Sequence, residues 1–302
     1  MLRQKTLRSA VHAIGIGVHS GKPVRMTLRP AEANTGIRFV RADHPNVHIA
    51  ALAQHVSDTT LATSICEHGI EISTIEHLMS ALWGLAIDNV LVDLSGPEVP
   101  IMDGSAAPFV DLIRAGGVRE QNAARKYIRI TRGLTVTQGD ASASLLPYDG
   151  FKAGYTFVYD HPVYDRYPKS VTIDFGRDTY TREVAEARTF GLFCELEQAQ
   201  AINKCLGSSL ENAVGIGDDD ILNEEGLRFD DEFVKHKLLD SIGDLYLLGL
   251  PIIGEFRGYK SGHALNNKLA RTVLRCADAW DLVSTADESS RATSPAIAST
   301  AS

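Results

Sequence analysis

The chain has 302 residues, more than one hydrophobic core usually organises, so we expect two domains. Hydrophobic residues make up 44% and charged residues 23% of it, as in proteins that bury a substantial core. The formal net charge of −8 argues against a basic surface that would bind DNA or RNA through its phosphates. The composition therefore favours chemistry on a small molecule.

The cysteines and the apolar runs bear on the compartment. No two cysteines have CxxC spacing, which is typical of buried thiols in a reducing compartment rather than of a disulfide framework. They are Cys66, Cys194, Cys205 and Cys276. No apolar run approaches the roughly 20 residues that cross a bilayer, and the N-terminus lacks the apolar region of a signal peptide. We expect a cytoplasmic protein.

In chain order, the first half begins with strand-like alternation, as at residues 24–28 and again at 90–94. Between these strands, Ser73-Thr74 followed by Glu76 predicts a capped helix start, because leucines then recur at helical spacing. Residues 109–113 predict a second helix that ends near Gly116-Gly117.

The second half repeats this plan. Polar residues 119–126 separate the halves, and strands are expected from about 127 to 175. A helical stretch from about 181 to 205 follows, then a helix at 231–248 and a strand at 252–256.

We predict an α+β fold of two domains with related topology, residues 1–122 and 127–285, each a β-sheet packed against helices. Residues 77–85 and 236–245 resemble each other, since each has a histidine near a predicted helix start. Two such lobes facing each other would bring these histidines to a common cleft. Residues 286–302 are rich in Ser, Ala and Thr and predict a disordered tail.

His236 and Asp240 have the spacing of metal ligands. Residues four apart lie on one helical face, within reach of one ion. His77, preceded by Glu76, is the best third ligand from the other lobe. Three nitrogen and carboxylate ligands leave one position of Zn²⁺ for water, which then ionises near about pH 7. The same spacing also fits an ordinary ion pair or a solvated helix face.

A hydrolase also needs an acid for its leaving group. His263, in a predicted loop at 259–268, suits that task if a carboxylate stabilises its protonated form. Asp244 lies one turn beyond Asp240 and is the candidate carboxylate. The alternatives are a surface histidine and an exposed helix residue.

Two other active-site classes lack their motifs. The chain contains no GxSxG elbow for a serine nucleophile and no GxGxxG dinucleotide loop. Residues 15–22 are glycine-rich, but Pro23 stands where a phosphate loop needs Ser or Thr.

Five separated blocks of sequence carry a resemblance to a known family. They are 73–78 (STIEHL), 101–106 (IMDGSA), 187–191 (ARTFG), 227–240 (LRF and EFVKHKLLD) and 260–267 (KSGHALNN). In this order they are similar to the UDP-3-O-acyl-N-acetylglucosamine deacetylase (LpxC) family of Gram-negative bacteria. The likeness runs from the first residues to about 285.

The resemblance implies two domains that enclose an active site between their helical layers. It also implies hydrolysis of the acetamide of UDP-3-O-[(3R)-3-hydroxyacyl]-N-acetylglucosamine, which gives acetate and the free amine in lipid A biosynthesis. The implied zinc ligands are His77, His236 and Asp240. The other implied catalytic residues are Glu76 as general base, His263 as acid, Asp244 as its orienting partner and Thr189 as oxyanion donor.

The resemblance further assigns substrate contacts. Lys237 and Lys260 would meet hydroxyls and the diphosphate, Tyr159 would lie near uracil, and Phe190 belongs to the same substrate-binding set. We hypothesise that four residues line the acyl passage: Leu196, Cys205, Ala213 and Gly215. The resemblance implies Zn²⁺ as the metal, and Fe²⁺ in cells also suits this ligand set.

Two alternatives remain at this point. One is a metal-dependent amidase that acts on a different small amide, and the other is a metal-containing binding protein without turnover. Glu76 and His263 argue against the second, because binding alone requires neither a base nor an acid.

Overall fold

The computed structural model of the protein describes residues 2–176 and 179–284. Sheets and helices are mixed throughout this part of the chain, so the α+β prediction is confirmed. The predicted tail at 286–302 lies outside the described residues. No helix in the described ranges is long and apolar enough to cross a membrane.

The first half is built on a central antiparallel and parallel sheet. Its elements are β1 (Arg3–Leu7), β2 (Val11–Ile16), β3 (Pro23–Pro30), β4 (Ile37–Arg41), β5 (His48–Ala50), β6 (Val56–Asp58), β7 (Ser64–Glu67), β8 (Ile70–Ile72), α1 (Glu76–Gly84), β9 (Val90–Leu94), α2 (Ala107–Gly116) and β10 (Val118–Ala124). The central sheet has the order β2-β3-β9-β4-β5, and β6, β7 and β8 form a second sheet. In β3, Val24, Met26 and Leu28 are buried, which is the predicted alternation.

Helix α2 ends where the sequence predicts. Its last residue is Gly116, and Gly117 follows with φ +67°, a left-handed conformation that glycine adopts without strain.

The start of α1 differs from the prediction. The helix begins at Glu76, but Ile75 precedes it and no side chain caps it. The Thr74 hydroxyl instead donates to Glu98 Oε1 at 3.2 Å. The predicted cap is wrong because a buried carboxylate from a later loop takes this hydroxyl.

The polar stretch at 119–126 is more than a separator. Most of it belongs to β10, which pairs antiparallel with β1, so the end of the first half closes onto its beginning. Many of its side chains are exposed, which lets a strand carry polar residues. The division at 122–127 stays a proposal, and β10 extends to Ala124.

The second half contains a seven-stranded sheet and the longest helices. Its elements are β11 (Lys126–Ile130), β12 (Leu134–Gln138), β13 (Ala141–Leu146), β14 (Phe151–Thr156), α3 (Pro162–Asp165), β15 (Ser170–Asp174), α4 (Thr179–Glu183), β16 (Phe190–Leu192), α5 (Phe193–Ala201), β17 (Val214–Ile216), α6 (Glu232–Tyr246), β18 (Ile252–Tyr259), α7 (His263–Arg275) and β19 (Trp280–Ser284). Strand β18 lies in the middle of the sheet, between β13 and β11, and it also pairs with β14.

Two predictions in this half are wrong. The helical stretch at 181–205 is interrupted by β16, which pairs in parallel with β17, and such a long-range pairing leaves no local periodicity. The predicted loop around His263 is the start of α7. Three residues of that helix, Leu265, Leu269 and Val273, are buried at helical spacing. The loop was predicted because the polar residues around them obscure this spacing.

Helices α1 and α6 pack against each other and bring the two halves together. Gly243 of α6 allows this approach, because a Cβ there would lie 2.1 Å from the backbone oxygen of Glu76. Nearly every residue of α6 is buried, including its polar ones. The predicted meeting of the two histidine-bearing helices is therefore confirmed.

Candidate metal centre and catalytic groups

Three side chains from the two facing helices converge on one point. Possible ligand atoms of His77, His236 and Asp240 all lie within 4.8 Å of one another. Asp240 Oδ1 lies 3.4 Å from Nε2 of each histidine, and the two rings meet edge to face at 4.9 Å. All three residues are buried. The structure thus brings together the ligands predicted from spacing and from the resemblance.

The donor atoms of this cluster fit a divalent metal ion. His236 Nδ1 lies 3.0 Å from the carbonyl oxygen of Ala187, which assigns the proton to Nδ1 and leaves Nε2 free to ligate. Burial lowers the pKa of His236 to about 3, so the ring is neutral. Asp240 Oδ1 is buried and has no hydrogen-bond partner among the described residues. Two imidazole nitrogens and one carboxylate oxygen are one of the three-ligand sets of catalytic zinc sites.

The other oxygen of Asp240 has its own partner. Lys237 Nζ donates to Oδ2 at 2.6 Å. Burial alone would raise the pKa of Asp240, but His236 and Lys237 outweigh it and hold that pKa well below its usual range. Lys237, predicted to contact substrate, therefore lies at the cluster, and its side chain is partly exposed.

Glu76 lies beside the cluster at the first turn of α1. Its Oε2 accepts a hydrogen bond from the backbone N–H of Thr63 at 3.1 Å, and its Oε1 lies 3.9 Å from His263 Nε2. Burial raises the pKa of Glu76. A raised pKa makes a carboxylate a better proton acceptor, which suits a general base.

His263 and Asp244 form a pair next to Glu76. His263 Nδ1 lies 2.9 Å from Asp244 Oδ2, and Asn266 Nδ2 donates to the same oxygen at 2.9 Å. Burial would lower the pKa of His263, but Asp244 outweighs it and raises that pKa to about 9. The imidazole is therefore protonated at neutral pH. Asp244 is 1% exposed, so the exposed-helix alternative is wrong, and so is a surface position for His263.

Thr189 and Phe190 lie on the segment that runs past His236. Thr189 N donates to the Gly104 oxygen at 2.8 Å, and its own oxygen accepts from Val214 N at 2.7 Å. The Phe190 ring lies 6.0 Å from the His236 ring. Both residues are half-buried.

The remaining predicted substrate residues lie on other elements. The Tyr159 hydroxyl donates to Glu195 Oε1 at 2.5 Å, and Lys260 forms an ion pair with Asp140. Leu196 lies on α5, and Ala213 precedes Gly215 of β17. Cys205 N donates to His19 Nδ1 at 3.2 Å, so this turn contacts the first half of the chain.

An ion pair that the sequence did not predict holds the segment at 187–189. Arg188 is 3% exposed and donates from Nε and from its backbone N to Glu232 Oε1, both at 2.9 Å. Glu232 opens α6, and its Oε2 accepts from Arg228 N at 2.6 Å. Arg188 and Glu232 both lie in the sequence blocks that carry the family resemblance. Their opposite charges were the only sequence signal that could have suggested the ion pair.

The whole chain also resembles known proteins. A profile of the UDP-3-O-acyl N-acetylglycosamine deacetylase family matches residues 4–275. The UDP-3-O-acyl-N-acetylglucosamine deacetylase of Chromohalobacter salexigens is 52% identical over 293 residues, which cover 97% of each chain. The enzyme of the same name from Marinobacter nauticus is 51% identical over 289 residues, 95% of each chain. With a match that spans both halves and the buried cluster between them, this chain belongs to the UDP-3-O-acyl-N-acetylglycosamine deacetylase family.

Proposed function

We propose that this chain hydrolyses the acetamide of UDP-3-O-[(3R)-3-hydroxyacyl]-N-acetylglucosamine and releases acetate and the free amine, a step of lipid A biosynthesis. The observation that carries the proposal is the buried group of His77, His236 and Asp240 with Glu76 and His263 beside it. Relatives named UDP-3-O-acyl-N-acetylglucosamine deacetylase match almost the full length of the chain. The cytoplasmic location expected from the cysteine pattern belongs to the same proposal.

We assign zinc to the cluster, where His77, His236 and Asp240 would hold it. When bound, zinc supplies Lewis acidity towards water and the amide carbonyl. Fe²⁺ fits the same nitrogen and oxygen donors. Lys237 neutralises the oxygen of Asp240 that faces away from the histidines, so the carboxylate stays in one orientation.

The chain's own groups then move two protons. Glu76 accepts a proton from the attacking water, because its buried carboxylate has a raised pKa. Negative charge develops on the carbonyl oxygen, where Thr189 is assigned a hydrogen bond. His263 is protonated and gives its proton to the departing nitrogen, since an amide anion is a poor leaving group.

Binding of the rest of the substrate is assigned to residues around the cluster. Lys237 and Lys260 offer cations to hydroxyls and the diphosphate. Phe190 and Tyr159 offer aromatic faces, and Tyr159 stacks on Phe157 at 6.2 Å. The acyl passage remains our proposal for Leu196, Cys205, Ala213 and Gly215.

The direct test is to incubate the zinc-loaded protein with the UDP-sugar and to measure acetate. The variant Glu76→Ala keeps its metal content, because Glu76 is not assigned as a ligand, but it loses deacetylation. Equal activity in this variant contradicts the assigned base. Acetate released as fast from N-acetylglucosamine without the nucleotide and acyl chain would favour an amidase with another substrate. Metal binding without any turnover would favour a binding protein.

A further inference from the structure

Thr63 contacts both the assigned base and the carboxylate behind the assigned acid. It immediately precedes β7 and is 1% exposed. Its backbone N–H donates to Glu76 Oε2 at 3.1 Å, and its hydroxyl donates to Asp244 Oδ1 at 2.6 Å. We propose that Thr63 is a positioning residue that fixes the acid and the base relative to each other. This inference rests on the proposed function of Glu76 and His263.

The hydroxyl completes the hydrogen bonding of Asp244. Oδ2 already accepts from His263 and Asn266, both at 2.9 Å, and Thr63 occupies Oδ1. With donors on both oxygens, rotation of the carboxylate about its Cβ–Cγ bond is blocked. The orientation of His263 follows, because its Nδ1 is bound to that carboxylate. A hydroxyl that donates to a carboxylate at this distance forms a strong, charge-assisted hydrogen bond.

The backbone of Thr63 fixes the other partner. Its N–H holds Oε2 of Glu76 and so leaves Oε1 on the side of His263, 3.9 Å from Nε2. The carbonyl oxygen of Thr63 accepts from Ile75 N at 3.4 Å, which ties it to the residue before Glu76. The side chain itself has few rotamers, since threonine is branched at Cβ. One residue thus sets the spacing between a group on α1 and a group on α6.

The variant Thr63→Val tests this proposal, because valine keeps the shape and the backbone N–H but removes the hydroxyl. Steady-state acetate release, metal content and melting temperature are measured for the full zinc-loaded chain. We expect kcat to fall roughly tenfold to a hundredfold, the range for one hydrogen bond to a charged group. KM and metal content stay near wild type. Thr63→Ser keeps the donor and restores most of kcat.

Thr6→Val is the matched control. Thr6 is also fully buried, but its hydroxyl accepts from the backbone N–H of Ala31, which follows β3 and is not part of the proposed site. It loses stability with kcat unchanged. If Thr63→Val does not fold, Thr63→Ala removes the same hydroxyl with less bulk.

A double-mutant cycle separates positioning from general stabilisation. With Asp244→Ala, the partner of the hydroxyl is gone, so Thr63→Val lowers kcat no further. The same fold-loss in both backgrounds overturns the proposal, as does an unchanged kcat in the single variant or failure of Thr63→Ser to restore it. Absence of acetate release by the wild type contradicts the proposed function instead, so the two failures are distinguishable.

Discussion

Replacing Asp244 with asparagine removes the charge that keeps His263 protonated. The pKa of His263 is raised from 6.5 to about 9, which corresponds to about 3 kcal/mol in favour of the protonated ring. Burial acts in the opposite direction, so the carboxylate charges are the cause of the rise. In Asp244→Asn we therefore expect that pKa to fall towards 6.5 or below.

The magnitude of the effect depends on pH. At pH 8, a group with pKa about 9 is about nine-tenths protonated, whereas one with pKa about 6.5 is only a few per cent protonated. If His263 is the acid, kcat/KM of Asp244→Asn at pH 8 is roughly 30-fold lower from protonation alone. At pH 6 both rings are largely protonated, and this part of the difference shrinks to less than about twofold.

The assay is the pH profile of kcat/KM for acetate release between pH 5.5 and 10, with metal content measured at each end. Asp88→Asn is the control, since Asp88 also accepts a 2.8 Å bond from a cation, Arg125, but in a separate ion pair. Its alkaline limb stays where the wild-type limb lies. An alkaline limb that does not move in Asp244→Asn refutes the role assigned to this pair.

The same linkage predicts stability. The folded-state pKa of His263 is raised, so its protonated ring stabilises the folded state. This contribution to the free energy of unfolding is complete below about pH 6.5 and is lost as pH rises through about 9. The stability gap between wild type and Asp244→Asn should therefore narrow from pH 6 to pH 9.5, measured by urea unfolding with metal present.

Three further changes test packing around the site. Gly243→Ala adds a Cβ only 2.1 Å from the backbone oxygen of Glu76 in α1, so we expect the melting temperature and the metal content to fall. This loss occurs although alanine favours a helix over glycine by about 1 kcal/mol. Gly191→Ala is the control, because a Cβ there meets nothing within 4 Å. Glu232→Gln breaks the buried ion pair with Arg188 and lowers the free energy of unfolding by about 3 to 5 kcal/mol. Glu225→Gln is the control, because Glu225 also pairs with Arg188 but is exposed, and this change alters the free energy of unfolding little. Gly215→Val would place a Cβ 2.6 Å from Leu210 and shift the preference towards shorter acyl chains, and an unchanged chain-length profile argues against the passage.

Local sequence was sufficient for the features that helical spacing encodes. His236 and Asp240 are on one face of α6 because they are four residues apart. The same spacing also fits an ordinary ion pair, and a metal site differs from it by a third ligand opposite this face. His77 supplies the difference, and its place depends on α1 packing against α6. That contact was suggested by the likeness of the two segments, whereas its closeness depends on Gly243, which had no role in the prediction.

Hydrogen bonds between distant residues were beyond that reasoning. Thr63 meets Asp244 across 181 positions of sequence, and Arg188 meets Glu232 across 44. Neither contact has a local period or spacing, because each depends on how two elements pack. The cap predicted for α1 failed for the same reason, since Thr74 bonds to Glu98.

The protonation state of His263 depends on residues that are distant from it in the sequence. It is the first residue of α7, where the positive end of the helix dipole disfavours a cation. Burial disfavours the same charge, so a protonated imidazole there requires strong compensation. Asp244 supplies it from α6 and is itself held by Thr63, which precedes β7, and by Asn266, which lies on α7 with His263. A protonated acid at this place is thus a property of three parts of the chain packed together, α6, α7 and the segment before β7, and no single segment of the sequence encodes it.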